Sequence, residues 1–206
     1  MSDSGGTLVD NDGIDLDLIK NIKEVKKERL SSYENYKDKS NLVNVELNTR
    51  YIKKEDYKNG QHAIWNIENT HIALPCATQN ELNLNDVRNL HKLGCLAIVE
   101  GSNMSTTKSG VDYLQENDKD ILFAPGKASN AGGVATSFLE MSQNASLERW
   151  HFSKVENQIN DIMYGIFKNS FDTAKKYGNE RNLVMGANIY SFERLVEEMI
   201  NQGTIS

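Results

Sequence analysis

The chain has 206 residues, of which 38% are hydrophobic and 25% charged, with a formal net charge of −6. That length holds one domain, or one and a half, with a sizeable core, and the composition is that of a soluble globular protein. The negative balance gives no footprint for nucleic acid or an anionic membrane surface, and no apolar run approaches membrane-spanning length.

At the amino terminus, Thr7–Val9 and Ile14 flank Asp10-Asn-Asp-Gly13, which reads as a hairpin turn. The same acidic run is not a calcium loop. With Gly13 at the obligatory glycine position, the first and last ligands would be Leu8 and Ile19, and neither binds a metal. The first fifteen residues are acidic and do not read as a signal peptide. A helix is expected from about Asp17 to Tyr36, with Leu18, Ile19, Ile22, Val25 and Leu30 as its apolar marks. It carries Lys26, Lys27 and Arg29, with Lys26 and Arg29 three apart on one face.

From residue 71 the rhythm is regular. His71–Leu74, Leu96–Val99 and Ile121–Phe123 read as short strands. Between them lie a helix over Asn83–Lys92, closed by Gly94, and another around Val111, Leu114 and Gln115. Strands alternating with helices imply a parallel sheet, so the expected fold class is α/β, doubly wound and mainly parallel. In such sheets ligands bind beyond the carboxyl ends of the strands. The unusual loops all lie there: Pro75–Glu81, Glu100-Gly-Ser-Asn-Met104 and Ala124–Gly133, and both prolines of the chain fall in them. Three loops rich in amide and hydroxyl side chains at one sheet edge point to a shared site.

The last of them opens a helix, and Asn130 and Ser137 add hydrogen-bonding side chains at its mouth. After residue 150 a helical stripe follows (Val155, Ile159, Ile162, Ile166), and Ala187–Asn201 holds a second amphipathic helix. The preceding Met185-Gly-Ala-Asn188 suits a loop or a close contact. The two cysteines, Cys76 and Cys95, are far apart, which fits a reducing compartment; no histidine, cysteine or acidic cluster has metal-ligand spacing, so no metal is expected.

Ile72-Ala-Leu-Pro-Cys-Ala-Thr-Gln-Asn-Glu-Leu82, Glu100-Gly-Ser-Asn-Met104 and Leu122-Phe-Ala-Pro-Gly-Lys-Ala-Ser-Asn-Ala-Gly-Gly-Val-Ala-Thr-Ser137 together resemble the glutamate dehydrogenases, in particular their hexameric, NADP-dependent branch. The likeness includes Glu140-Met-Ser-Gln-Asn144 and Met185-Gly-Ala-Asn188 and covers essentially the full chain. A branched-chain amino-acid dehydrogenase fits less well, because Ser137 and its loop resemble the glutamate branch. The resemblance implies a reaction in which L-glutamate, NADP and water give 2-oxoglutarate, ammonia and NADPH, in a homohexamer without nucleic acid or membrane partners and with a cytoplasmic location. By position, Ala77, Thr78 and Gln79 would line the dinucleotide groove, Asn103 would stand near the nicotinamide carboxamide, and Asn130 between nicotinamide and substrate. Val134 and Ser137 would shape the substrate pocket, the Ser137 hydroxyl meeting the glutamate side-chain carboxylate. Ser4, Lys26 and Arg29 would meet the adenosine ribose and its phosphate, which favours NADP over NAD. Ser102 stands where the family usually has alanine, and Phe138 where it commonly has glycine, with crowding of the helix expected there.

No G-x-G-x-x-G occurs in the chain. In the family that turn lies after a strand upstream of Ser2-Asp-Ser4, as does the substrate domain with the lysine that polarises the 2-oxo group and the aspartate that relays protons. The resemblance therefore implies an incomplete Rossmann-like coenzyme domain over residues 1–150, lacking its first strand, followed by C-terminal helices over 151–206. On this reading no catalytic residue lies in the chain, and it is inactive alone. A non-catalytic nucleotide-binding remnant is the alternative.

Overall fold

The structure is a computed structural model and describes residues 1–36, 49–57 and 63–203. The chain separates into two compact units, Met1–Glu68 and Asn69–Ser206.

The first unit is built on an antiparallel sheet of β1 (Ser2–Asp3), β2 (Gly6–Asp10) and β3 (Thr49–Lys53), with β2 in the middle. β2 is buried over most of its length, and its register sets Thr7 opposite Ile52 and Gly6 opposite Lys53. The hairpin lies one step earlier in the chain than the sequence suggests, between β1 and β2. Asp10–Gly13 does form a turn, with Gly13 at φ +100° and its N–H on the Asp10 carbonyl at 3.3 Å. That turn leads not to a strand but to α1 (Leu16–Lys20), because Asp15 caps the helix through the N–H groups of Asp17 and Leu18, both at 3.0 Å.

The single helix expected over 17–36 is broken. α1 widens into a π turn at Asn21–Val25, Lys27 takes a left-handed φ of 57°, and the chain resumes as a 3-10 turn (Leu30–Ser32) and α2 (Tyr33–Tyr36). The cause is the core. Leu8, Ile19, Ile22, Leu30 and Tyr33 form one buried cluster. In an unbroken helix Leu30 would sit about 12 Å beyond Ile22 and roughly 80° around the axis, out of that cluster. The break folds Leu30 back and leaves Val25, an expected core residue, 73% exposed. Lys26 and Arg29 consequently do not share a helical face.

The second unit carries the parallel sheet expected from the sequence. β4 (Ile72–Ala73), β5 (Ala97–Val99) and β6 (Leu122–Ala124) run in that order, with Ala73 beside Ile98 and Ile98 beside Phe123. α3 (Leu84–Lys92) and α4 (Lys108–Glu116) make the connections. Asn83 and Asp86 start α3 with a reciprocal capping box, Gly94 ends it at φ +84°, and Val87, Leu90, Ile98, Leu114 and Ile121 are buried. The mixed α/β architecture with a parallel sheet is thus as the alternation predicts.

Beyond β6 the expected open loop contains a short helix, α5 (Gly126–Ser129), before α6 (Gly132–Ser146). Two long helices follow, α7 (Phe152–Lys176) and α8 (Leu183–Asn201). α8 begins earlier than its apolar stripe suggests, because Asn182 caps it on the Met185 N–H at 2.9 Å. Met185–Asn188 is therefore helix, and Gly186 serves a contact with α7 rather than a loop. The stripe on α7 is only half-buried; its fully buried residues are Ser170, Thr173 and Ala174, further along.

Candidate functional site

The three loops at the carboxyl ends of β4, β5 and β6 are stitched together. The Gly101 N–H donates to the Pro75 carbonyl at 2.9 Å, and the Asn80 N–H donates to Met104 at 2.9 Å. The Ser102 hydroxyl donates to the Thr78 carbonyl at 3.2 Å and lies 2.6 Å from the Ser105 hydroxyl. That hydroxyl thus makes a bond across two loops.

Glu100 joins the second loop to the third. Its carboxylate is buried, 4% exposed, and accepts the Thr106 N–H on one oxygen and the Gly126 N–H on the other, each at 2.7 Å. Its backbone takes part too: the Glu100 N–H donates to Ala124 at 3.1 Å, and the Ser129 hydroxyl donates to the Glu100 carbonyl at 2.6 Å. Gly126 must be glycine for this closeness, since a Cβ there would lie 2.8 Å from the Ser102 carbonyl oxygen. The sequence marks Glu100 as the start of a loop motif but not its buried role, because a charged residue after a strand ordinarily faces solvent.

The expected site residues fall as follows. Ala77, Thr78 and Gln79 are exposed on the first loop. Asn103 and Asn130 meet directly, the Asn130 amide donating to the Asn103 carbonyl oxygen at 2.5 Å. Val134 and Ser137 are exposed on the first turns of α6, on one face, and the Ser137 hydroxyl donates to the Gly133 carbonyl at 3.2 Å. Phe138 is 60% exposed, so the expected crowding of the helix does not occur. Lys127 donates to the Asn188 side chain on α8 and ties α5 to that helix.

In the first unit, the Arg29 guanidinium donates to the Ser4 hydroxyl. Lys26 instead lies over the Tyr36 ring, 3.2 Å from its centroid. Asp3, between the two serines, is committed internally. One oxygen accepts the Gly5 N–H at 2.9 Å and the Tyr51 hydroxyl at 3.1 Å; the other accepts the Leu30 N–H at 3.0 Å and lies 3.7 Å from Lys23. Burial opposes its charge, but those bonds and the Lys23 ammonium prevail and hold the carboxyl below its ordinary value. Burial, then the bond to Asp3, pushes the Tyr51 phenol up to about 12.

Among the described residues no group of three or more His, Cys, Asp and Glu side chains is placed to hold a metal. No described helix is long and apolar enough to cross a membrane.

The family model for Glutamate/Leucine/Phenylalanine/Valine dehydrogenase matches residues 1–203. The NADP-specific glutamate dehydrogenase of Helicobacter pylori (strain J99) is 40% identical over 203 residues, which is 98% of this chain and 42% of that protein. Its counterpart in Escherichia coli (strain K12) is 38% identical over 204 residues, 99% of this chain and 42% of that protein. In structure, a Plasmodium falciparum glutamate dehydrogenase superposes with a TM-score of 0.81 at 34% identity, covering 98% of this chain and 40% of that one. The chain spans about two fifths of the length of the relatives it matches. With the model matching nearly every residue, the chain belongs to the Glutamate/Leucine/Phenylalanine/Valine dehydrogenase family.

Proposed function

We propose that the chain is the coenzyme-domain part of an NADP-dependent glutamate dehydrogenase, the enzyme that interconverts L-glutamate with 2-oxoglutarate and ammonia. Residues 1–150 hold the dinucleotide, and 151–206 are helices that pack on that part and face the substrate domain. The observation that carries this reading is the Asn103–Asn130 pair, two amides from different loops at the mouth of the parallel sheet.

NADP, when bound, supplies the hydride acceptor; everything else here is binding and orientation. The paired amides offer a donor and an acceptor, the complement a carboxamide needs for a fixed ring orientation. Ala77, Thr78 and Gln79 border the same mouth, while Val134 and Ser137 present one apolar and one hydroxyl group toward a substrate chain ending in carboxylate. At the adenosine end, the Asp3 carboxylate is already spent on Gly5, Leu30, Tyr51 and Lys23. One oxygen already carries two of those bonds and the other carries one, which leaves it little acceptor capacity for a ribose 2′-hydroxyl, the contact that selects NAD. Ser4 and Arg29 suit a 2′-phosphate, whereas Lys26 on the same segment is turned onto the Tyr36 ring. These donor types fit NADP.

The 206 residues do not include the lysine and aspartate that the resemblance assigns to the chemical step, so the chain alone is inactive. The complete enzyme is a cytoplasmic homohexamer active in nitrogen assimilation. The test is absorbance at 340 nm with the purified chain, L-glutamate and NADP. No glutamate-dependent NADPH forms; measurable turnover by the pure chain would sink the division of labour proposed here.

A further inference from the structure

An open cleft of about 330 Å³ in the first unit is lined by Arg29, Ser31, Tyr51, Lys53, Lys54 and Glu55 beside Gly5. Among the described residues its lining carries three cations and one carboxylate, on a chain whose net charge is −6. The cations are brought together by the sheet, not by sequence proximity. The antiparallel register puts Lys53 opposite Gly6, and the Lys54 N–H donates to the Gly5 carbonyl at 2.9 Å. The end of β3 is thus clamped to the β1–β2 turn that carries Ser4 and Gly5. Asp3 fixes the opposite wall, since it accepts the Leu30 N–H and so holds the segment from which Arg29 reaches Ser4.

We propose that Lys53 and Lys54 complete the phosphomonoester-binding set with Arg29 and Ser4, and that these two lysines determine preference for a 2′-phosphorylated adenosine. The inference rests on the NADP reading above and extends it to residues outside the motifs that suggested it. Two observations favour Lys53 and Lys54 over Lys26 as the partners of Arg29. Lys26 is turned onto the Tyr36 ring and does not line the cleft. Lys53 and Lys54 are exposed, and the carboxylate among the described residues of the cleft is Glu55, 3.7 Å from Lys53 with both side chains largely in solvent. Such a pair is weak and readily exchanged for a dianion. The Ser4 hydroxyl and the Arg29 fork also supply directed donors to a phosphate, which lysines alone do not.

The test is calorimetric titration of the full chain with adenosine 2′,5′-bisphosphate and with 5′-AMP. The wild type prefers the bisphosphate. In Lys53→Gln/Lys54→Gln that preference falls about tenfold or more, the worth of one charge-assisted hydrogen bond, while 5′-AMP affinity is unchanged. Lys53→Arg/Lys54→Arg retains it. An undiminished preference in the glutamine variant, or no preference in the wild type, overturns the inference. NADP titrated in parallel separates the two claims: NADP bound with the lysines irrelevant removes only this proposal, whereas no NADP binding by the wild type removes the cofactor reading as well.

Discussion

Glu100→Ala lowers the melting temperature of the chain by roughly 5–20 °C, the largest single-residue effect expected in the second unit. The carboxylate is buried and accepts two backbone N–H groups at 2.7 Å, from Thr106 and from Gly126. Alanine strands both donors, at about 1–3 kcal/mol each, and this range is a large part of the total stability of a domain. Water cannot easily replace the oxygens, because Thr106 and Gly126 are themselves buried. Glu100→Gln separates charge from geometry. Its amide keeps one acceptor but points an NH₂ at the second donor, so it recovers only part of the loss. Thermal melts of the three proteins decide the matter, and an alanine variant within about 2 °C of wild type would mean that Glu100 does not hold the loops together.

The second large effect is at Gly186, where α8 crosses α7. A Cβ placed there would overlap the Ser170 carbonyl oxygen and come within 2.9 Å of the Ala174 side chain. Both neighbours are rigid: one is backbone, and the other is a methyl on a buried helix face. The helices must move apart, which costs about 1–3 kcal/mol for an extra methylene-sized group in a packed core. Helix propensity pulls the other way, since glycine-to-alanine in a helix interior is worth about 0.5–1 kcal/mol in favour of alanine. The sign therefore reports which effect wins. Gly165 on α7 supplies the control, because nothing lies within 4 Å of a Cβ there. Gly165→Ala raises the urea midpoint and Gly186→Ala lowers it. Equal shifts for the two variants would show that the crossing is not as close as described.

Much of this architecture is legible in the sequence from residue 71 onward, for a local reason. The strand–helix alternation, the proline after β4 and after β6, and the asparagine cap of α3 are all encoded within a few residues of where they act. Residues 14–36 are less legible because their shape is decided from outside. Leu18, Ile19 and Ile22 read correctly as a helical face, but the N–H of Leu30 is claimed by Asp3, far away in sequence, and the helix breaks to deliver it. β3 has no clear apolar alternation, so neither it nor the placing of Lys53 and Lys54 beside Gly6 and Gly5 is visible without the register.

The candidate site divides in the same way. Asn130 is found from its loop and Asn103 through the family resemblance of its motif, and the structure brings them into contact. Ser4 and Arg29 are singled out only through the family resemblance, and they also meet. Lys26, grouped with Arg29 by helical spacing, is not beside it, because the spacing assumed a helix that does not exist. The buried role of Glu100 escapes notice because it consists entirely of accepting backbone N–H groups from segments that only the folded sheet brings near.

Binding of the nicotinamide end of NADP at the loop mouth built from Asn103 and Asn130, as proposed above, can be read by titration. It is tested most directly by titrating the chain and its Asn103→Ala/Asn130→Ala variant with NADP and with adenosine 2′,5′-bisphosphate, which lacks that end. The account predicts saturable NADP binding that the variant weakens about tenfold or more, in line with the loss of hydrogen bonds to a carboxamide, with bisphosphate binding unchanged. Equal affinity of wild type and variant for NADP, or an equal loss for both ligands, would contradict it.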